Sequence, residues 1–156
     1  MIRFTFRFNI LIILIFAMTS FFACRNTAPS DDVDVKYEIW EIALSGNTEG
    51  KLTMNLRLIQ IGTDTYSISG NMSGGIKDYK WGSGDADYKF KGKVVNKLIE
   101  LTLSGSSNMA EGPSTVSGKM NGAISMLEGS GTWEVLIHAR GKSEGTFTMK
   151  KLDPIL

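Results

Sequence analysis

Residues 51–58 read Lys-Leu-Thr-Met-Asn-Leu-Arg-Leu. Apolar side chains stand at 52, 54, 56 and 58, with polar ones between them. Successive side chains of an extended chain point to opposite faces, so this octet reads as a strand with one buried and one wet face. A helix would need apolar positions every three or four residues, and that spacing is missing here. Outward along the chain the same period recurs. Tyr66, Ile68 and Met72 alternate with Ser67, Ser69 and Asn71. Tyr88, Phe90 and Val94 alternate with lysines, and Ile99, Leu101 and Leu103 with Glu100 and Thr102. Val116 and Met120 follow, then Trp133, Val135 and Ile137, then Phe147 and Met149. Leu58 and Ile59 are both apolar, a phase slip that predicts a β-bulge.

Between these runs stand turn-forming residues. Ser45-Gly46-Asn47, Gly62-Thr63-Asp64, Asn96-Lys97, Asn121-Gly122 and Gly129-Ser130-Gly131 are read as hairpin connections. Ile68–Ile76 and Val116–Ile124 share five identities in nine. Glycines recur at 70, 92, 118 and 141, a spacing close to one hairpin. A glycine inside an alternating run also suits a barrel corner. The fold expected is all-β: a small antiparallel up-and-down barrel of eight or nine strands, with a two-sheet β-sandwich as the alternative. Such a barrel is just wide enough to be filled by side chains or to hold one small ligand.

The chain has 156 residues and a formal net charge of +1. That length suits one domain. A charge near zero removes the electrostatic case for nucleic-acid binding. One Cys and one His make neither an internal disulfide nor a zinc site of the usual kind, and no cofactor or metal is expected.

The first 23 residues have a different composition. Arg3 and Arg7 precede an uninterrupted apolar run, Ile10–Met18, and Ala23 stands before the single cysteine, Cys24. A basic start, a short apolar stretch and a small residue before a cut are the parts of a secretory signal. The run is short for a membrane span, which takes about 20 apolar residues. Without residues 1–23 the chain has 15 basic and 16 acidic residues, a net charge of −1. Residues 24–35 are polar, contain Pro29 and read as a tether with a reach of roughly 20 Å. The domain is placed at 36–152, with a tail at 153–156.

Phe21-Phe22-Ala23-Cys24 resembles the lipobox of bacterial lipoproteins. The resemblance implies that the Cys24 thiol receives a diacylglycerol, that a signal peptidase cuts before it, and that the new amino group is acylated. It implies a cell-envelope protein, anchored by lipid in the outer membrane and facing the periplasm or the cell surface. Two or three acyl chains give the stable attachment that one does not. Ser30-Asp31-Asp32 reads first as part of a solvated acidic linker. It also resembles the acidic export signal that sends lipoproteins of Bacteroidetes to the cell surface. The Gly-rich meander, with Gly131-Thr132-Trp133 and the closing Gly145–Lys150, looks like the calycin and avidin-like barrels. That likeness is architectural and implies no particular ligand.

Candidate chemistry is sparse. Gly141-Lys142-Ser143-Glu144-Gly145 matches a hydrolase nucleophile pattern but lacks the strand-to-helix elbow, so a hairpin turn is the better reading. His138 is read as a rim residue. Asp85 and Asp87 resemble a fragment of a calcium loop without its Gly and Glu. Gly74–Asp87 is read as an irregular loop at a barrel mouth, with Tyr79, Lys80 and Trp81 as a possible ligand loop. The competing reading has Trp81 folding back to plug the barrel. Ser104–Ser114, with Pro113, is a second candidate rim loop. The function expected is a binding module for a small apolar or saccharide ligand. An envelope inhibitor or structural interaction protein is the alternative, and an enzyme with a barrel-mouth site ranks third.

Overall fold

The computed structural model describes residues 34–152. The leader at 1–23, Cys24, the Ser30, Asp31 and Asp32 of the tether, and the tail at 153–156 lie outside the described residues. Eight strands follow one another: β1 (Val35–Gly46), β2 (Thr48–Gly62), β3 (Thr65–Asp78), β4 (Gly82–Val95), β5 (Leu98–Met109), β6 (Gly112–Ile124), β7 (Glu128–Ile137) and β8 (Gly141–Leu152). Each pairs antiparallel with the next, and β8 pairs back onto β1 from Ile39↔Leu152 to Gly46↔Gly145. The result is a closed up-and-down barrel, with no unpaired edge to template aggregation.

The alternation in the sequence is the alternation of the wall. Leu52, Met54 and Leu56 point inward, as do Ile68 and Met72, Tyr88 and Phe90, Ile99, Leu101 and Leu103, and Trp133, Val135 and Ile137. Each such side chain taken from water contributes about 1.5–3 kcal/mol before the entropy cost is counted. Most outward positions are polar. Lys119 and Lys142 flank Glu134 at 2.9 Å, and Lys142 also pairs with Glu144 at 2.6 Å, lacing β6, β7 and β8. The Lys119 bond, then the Lys142 bond, holds the Glu134 carboxyl below its ordinary range. Among the described residues the outer wall shows no apolar band of the kind that a membrane-spanning barrel carries.

Several expected connections differ. Asn96-Lys97 is a two-residue turn, and both residues take positive φ, 50° and 67°, as a type I′ turn requires. Asn121-Gly122 is not a turn. It lies within β6, opposite Thr132 and Gly131 of β7. A Cβ on Gly122 would meet the Gly131 Cα at 2.9 Å, so these two glycines serve close strand approach. Gly129-Ser130-Gly131 likewise belongs to β7, and the turn is Ser125–Leu127. The register irregularity falls at Gln60/Gly62, just after Leu58 and Ile59, which pair regularly. The repeat places Ile68 and Met72 inward on β3, and Val116 and Met120 inward on β6. Those strands run in opposite directions, so it reflects shared wall chemistry and not a repeated hairpin. Gly70 and Gly92 lie on adjacent strands for the same reason.

Strand direction defines two ends. The chain enters at Val35 and leaves at Leu152 at the end called lower here, together with the turns at 63–64, 96–97 and 125–127. The upper end carries Asn47 and the turns at 79–81, 110–111 and 138–140.

Candidate functional site: the upper end of the barrel

The stretch Gly74–Asp87 is not an irregular loop. β3 and β4 pair from Thr65↔Val95 up to Asp78↔Gly82, which leaves Tyr79-Lys80-Trp81 as a tight turn. Ser104–Ser114 is equally regular, since β5 and β6 pair up to Met109↔Gly112 around Ala110-Glu111. The reason is visible in the alternation, which simply continues through both glycine-rich stretches: Ile76, Asp78, Ala86 and Met109 are all buried.

Asp78 organises this end. Its carboxylate is 2% exposed and accepts four hydrogen bonds. Thr48 Oγ1 donates to Oδ2 at 2.5 Å and Ser143 Oγ donates to the same oxygen at 3.1 Å. The backbone amides of Lys80 and Trp81 donate to Oδ1 at 2.7 and 3.3 Å. An Asp bonding the amides two and three residues on is a turn device, and it sets the 79–81 connection. The two hydroxyls also touch each other at 2.8 Å, so two protons serve three contacts. The cluster joins β2, β3 and β8, which are not all neighbours in the wall. Two backbone bonds extend it: Tyr79 N donates to Asn47 O at 2.9 Å, and Asn47 N to Glu144 O at 3.0 Å.

Across the mouth a second tie joins the remaining turns. Arg140 Nη2 donates to Gly112 O at 2.8 Å, and His138 N to Thr115 O at 2.9 Å. His138 itself is exposed on its turn, a rim residue as expected. Ser107 Oγ and Arg140 Nη1 are buried and have no hydrogen-bond partner among the described residues.

The sequence-predicted residues divide here. Trp81 is half-buried and packs against the core. Tyr79 is 88% exposed. Lys80 Nζ lies 6.0 Å from the centroid of the Trp81 ring. The three do not converge on a common space. Ser143 belongs to β8 and not to a hairpin turn; its side chain is 0% exposed, with Asp78 and Thr48 as its partners. Asp85 and Asp87 point outward from β4, and no cluster of three metal-ligating residues occurs among the described residues.

The interior beneath this latch is filled. A space of about 20 Å³ remains between Thr48, Tyr88, Met72, Met120 and Trp133. That holds roughly one water molecule. Burial, and then the nearby Asp78 charge, pushes the Tyr88 hydroxyl up to about 12, so it stays a protonated donor at physiological pH. A larger hollow lies on the outer wall. It has about 620 Å³ and is lined by Glu41, Ala43, Ala123, Ser130, Thr148 and Lys150. Small outward side chains on four adjacent strands make it.

Sequence reading missed Thr48 and Asp78, and it placed Ser143 in a hairpin turn. The signal was available: each is in phase with inward residues, Thr48 with Leu52, Asp78 with Ile76 and Ser143 with Phe147. Compared with known proteins, the chain matches no family model, no curated protein and no solved structure.

Proposed function

We propose that this chain is a bacterial lipoprotein of the cell envelope, held in the outer membrane by acyl chains on Cys24, and that its barrel is a non-catalytic interaction module for another envelope protein. The lipobox-like Phe21–Cys24 supports the anchor. The filled interior carries the choice of role. Small-molecule sites have roughly 300–1,000 Å³, and the barrel keeps about 20 Å³. A calycin or avidin-like role, with ligand inside the barrel, therefore has less support than contact through the outer surface. The exposed Tyr79 and Lys80, on a turn fixed by Asp78, offer a rigid contact point at the end away from the chain entry. As an inhibitor or a structural protein, the module would meet its partner there.

A second reading is favoured by the outer hollow of about 620 Å³, whose size fits a small saccharide or apolar ligand. Native mass spectrometry of the protein purified from its own cells separates the two. A stoichiometric protein supports the first, and a co-purifying small molecule supports the second. Surface display through Ser30, Asp31 and Asp32 is read by protease shaving of intact cells, comparing wild type with the three alanine substitutions.

A further inference from the structure

The exposed apolar side chains are unevenly placed. Ile61, Leu98, Met126 and Leu127 stand on or beside the three lower turns, and Met126 is 88% exposed. Tyr37 and Ile39 in the first half of β1 and Leu152 at the end of β8 adjoin them. Only Tyr79 and Leu136 among the large exposed apolar residues lie elsewhere in the described barrel. The upper turns mix the polar Asn47, Lys80, Glu111, His138 and Arg140 with Ala110, Ala139 and the half-buried Trp81. A clustered apolar rim marks a contact surface.

We infer that this lower rim docks on the lipid bilayer, with Ile61, Leu98, Met126 and Leu127 entering the headgroup region. The inference rests on the lipoprotein reading of Cys24. Its occupant follows from where the chain enters. Val35 begins β1 at this same end, and only residues 25–34 separate it from Cys24. On that reading a ten-residue linker has an r.m.s. span of roughly 20 Å, which favours encounter of the rim with the surface that holds the cysteine. Docking is then intramolecular, at an effective concentration on the order of millimolar, so a weak surface interaction suffices. Exposed Lys97, on the turn next to Leu98, suits phosphate headgroups while its stem covers apolar surface. Docking would hold the barrel upright and point Tyr79 and Lys80 away from the membrane.

The test uses the full chain, lipidated in its own cells. Cys24 is then blocked by lipid, so Met126→Cys or Tyr79→Cys supplies a single thiol for an environment-sensitive fluorophore. The labelled proteins are placed in phosphatidylethanolamine–phosphatidylglycerol vesicles with or without doxyl-labelled lipid. Docking predicts strong quenching at 126 and little at 79. Quenching at 126 should fall roughly tenfold when Leu98→Asp and Leu127→Asp are added, because a carboxylate resists leaving water. Both substitutions are on exposed turn-flanking positions and leave the interior intact. A palmitate-labelled, vesicle-bound chain with 126 as unquenched as 79 overturns docking alone. Protection of 126 from aqueous iodide without doxyl quenching places a second copy on the rim and also overturns it. A chain that takes up no palmitate and does not bind vesicles overturns the lipoprotein reading itself.

Discussion

Replacing Asp78 by Ala tests whether the upper latch holds the barrel together. The buried carboxylate accepts two hydroxyl and two amide hydrogen bonds. Hydrogen bonds to a charged group contribute about 1.5–3 kcal/mol each. At the low end of that range four of them contribute about 6 kcal/mol. Keeping the carboxylate out of water costs several kcal/mol in return. Asp78→Ala removes both terms, and Thr48 and Ser143 keep their mutual contact. The expected net loss is about 3 kcal/mol. At about 4 °C per kcal/mol for a domain of this size, the melting midpoint falls by roughly 12 °C.

Asp78→Asn gives a sharper comparison. Its side-chain carbonyl still accepts from the Lys80 and Trp81 amides, and its NH₂ donates to the hydroxyl oxygens, reversing those two bonds. The expected cost is about 1 kcal/mol. Urea unfolding followed by circular dichroism, in the Cys24→Ser background, reads both variants against their parent. The reasoning fails if Asp78→Ala is neutral or stabilising. That result would mean the carboxylate is a net burden, as some buried charges are, with strand pairing and the apolar core alone holding the barrel.

Other perturbations address separate parts of the barrel. Tyr88→Phe should flatten the alkaline side of the stability curve. With the hydroxyl at about 12 in the fold and about 10 when unfolded, the unfolded chain loses that proton first, so rising pH removes up to about 2–3 kcal/mol between pH 10 and 12. Denaturant titrations of wild type and Tyr88→Phe at pH 9 and 11 check it: the gap between them shifts in favour of the phenylalanine variant at the higher pH. Gly92→Ala pushes a methyl against the Glu100 carbonyl and to 3.0 Å from the Leu101 Cα, which should cost about 1–3 kcal/mol in the same assay. On the 79–81 turn, Trp81→Ala should cost about 2 kcal/mol through lost core contact, while Tyr79→Ala stays within about 0.5 kcal/mol.

The barrel was legible because its wall has one dry and one wet side, and period 2 survives in the sequence from Leu52 to Met149. Closure was less directly written. It rests on β8 finding β1, a pairing of residues such as Ile42 and Met149 that no local pattern encodes. Turns were misplaced where glycine was taken as a sign of reversal. In a tightly curved wall, glycine also permits two backbones to approach, as Gly122 and Gly131 do. The upper site stayed hidden for a related reason. Thr48, Asp78 and Ser143 are 30 and 65 residues apart in turn, and each looks like an ordinary polar residue at a strand end. Only the phase of each strand reveals that all three face inward.

The two ends of the barrel therefore do different work. The upper end places its polar groups inside, where they bind one another across β2, β3 and β8. Its turns are consequently fixed, and Trp81 packs against the core beneath them. The lower end does the reverse, leaving Leu98, Met126 and Leu127 outside. A monomer folding only for stability has little reason for that arrangement, because those side chains contribute no burial. They become useful once something apolar meets the end at which the chain enters. On the lipoprotein reading proposed above, a barrel with one apolar rim and hydrogen-bonded turns at its other end would stand on the bilayer and present those turns to a partner.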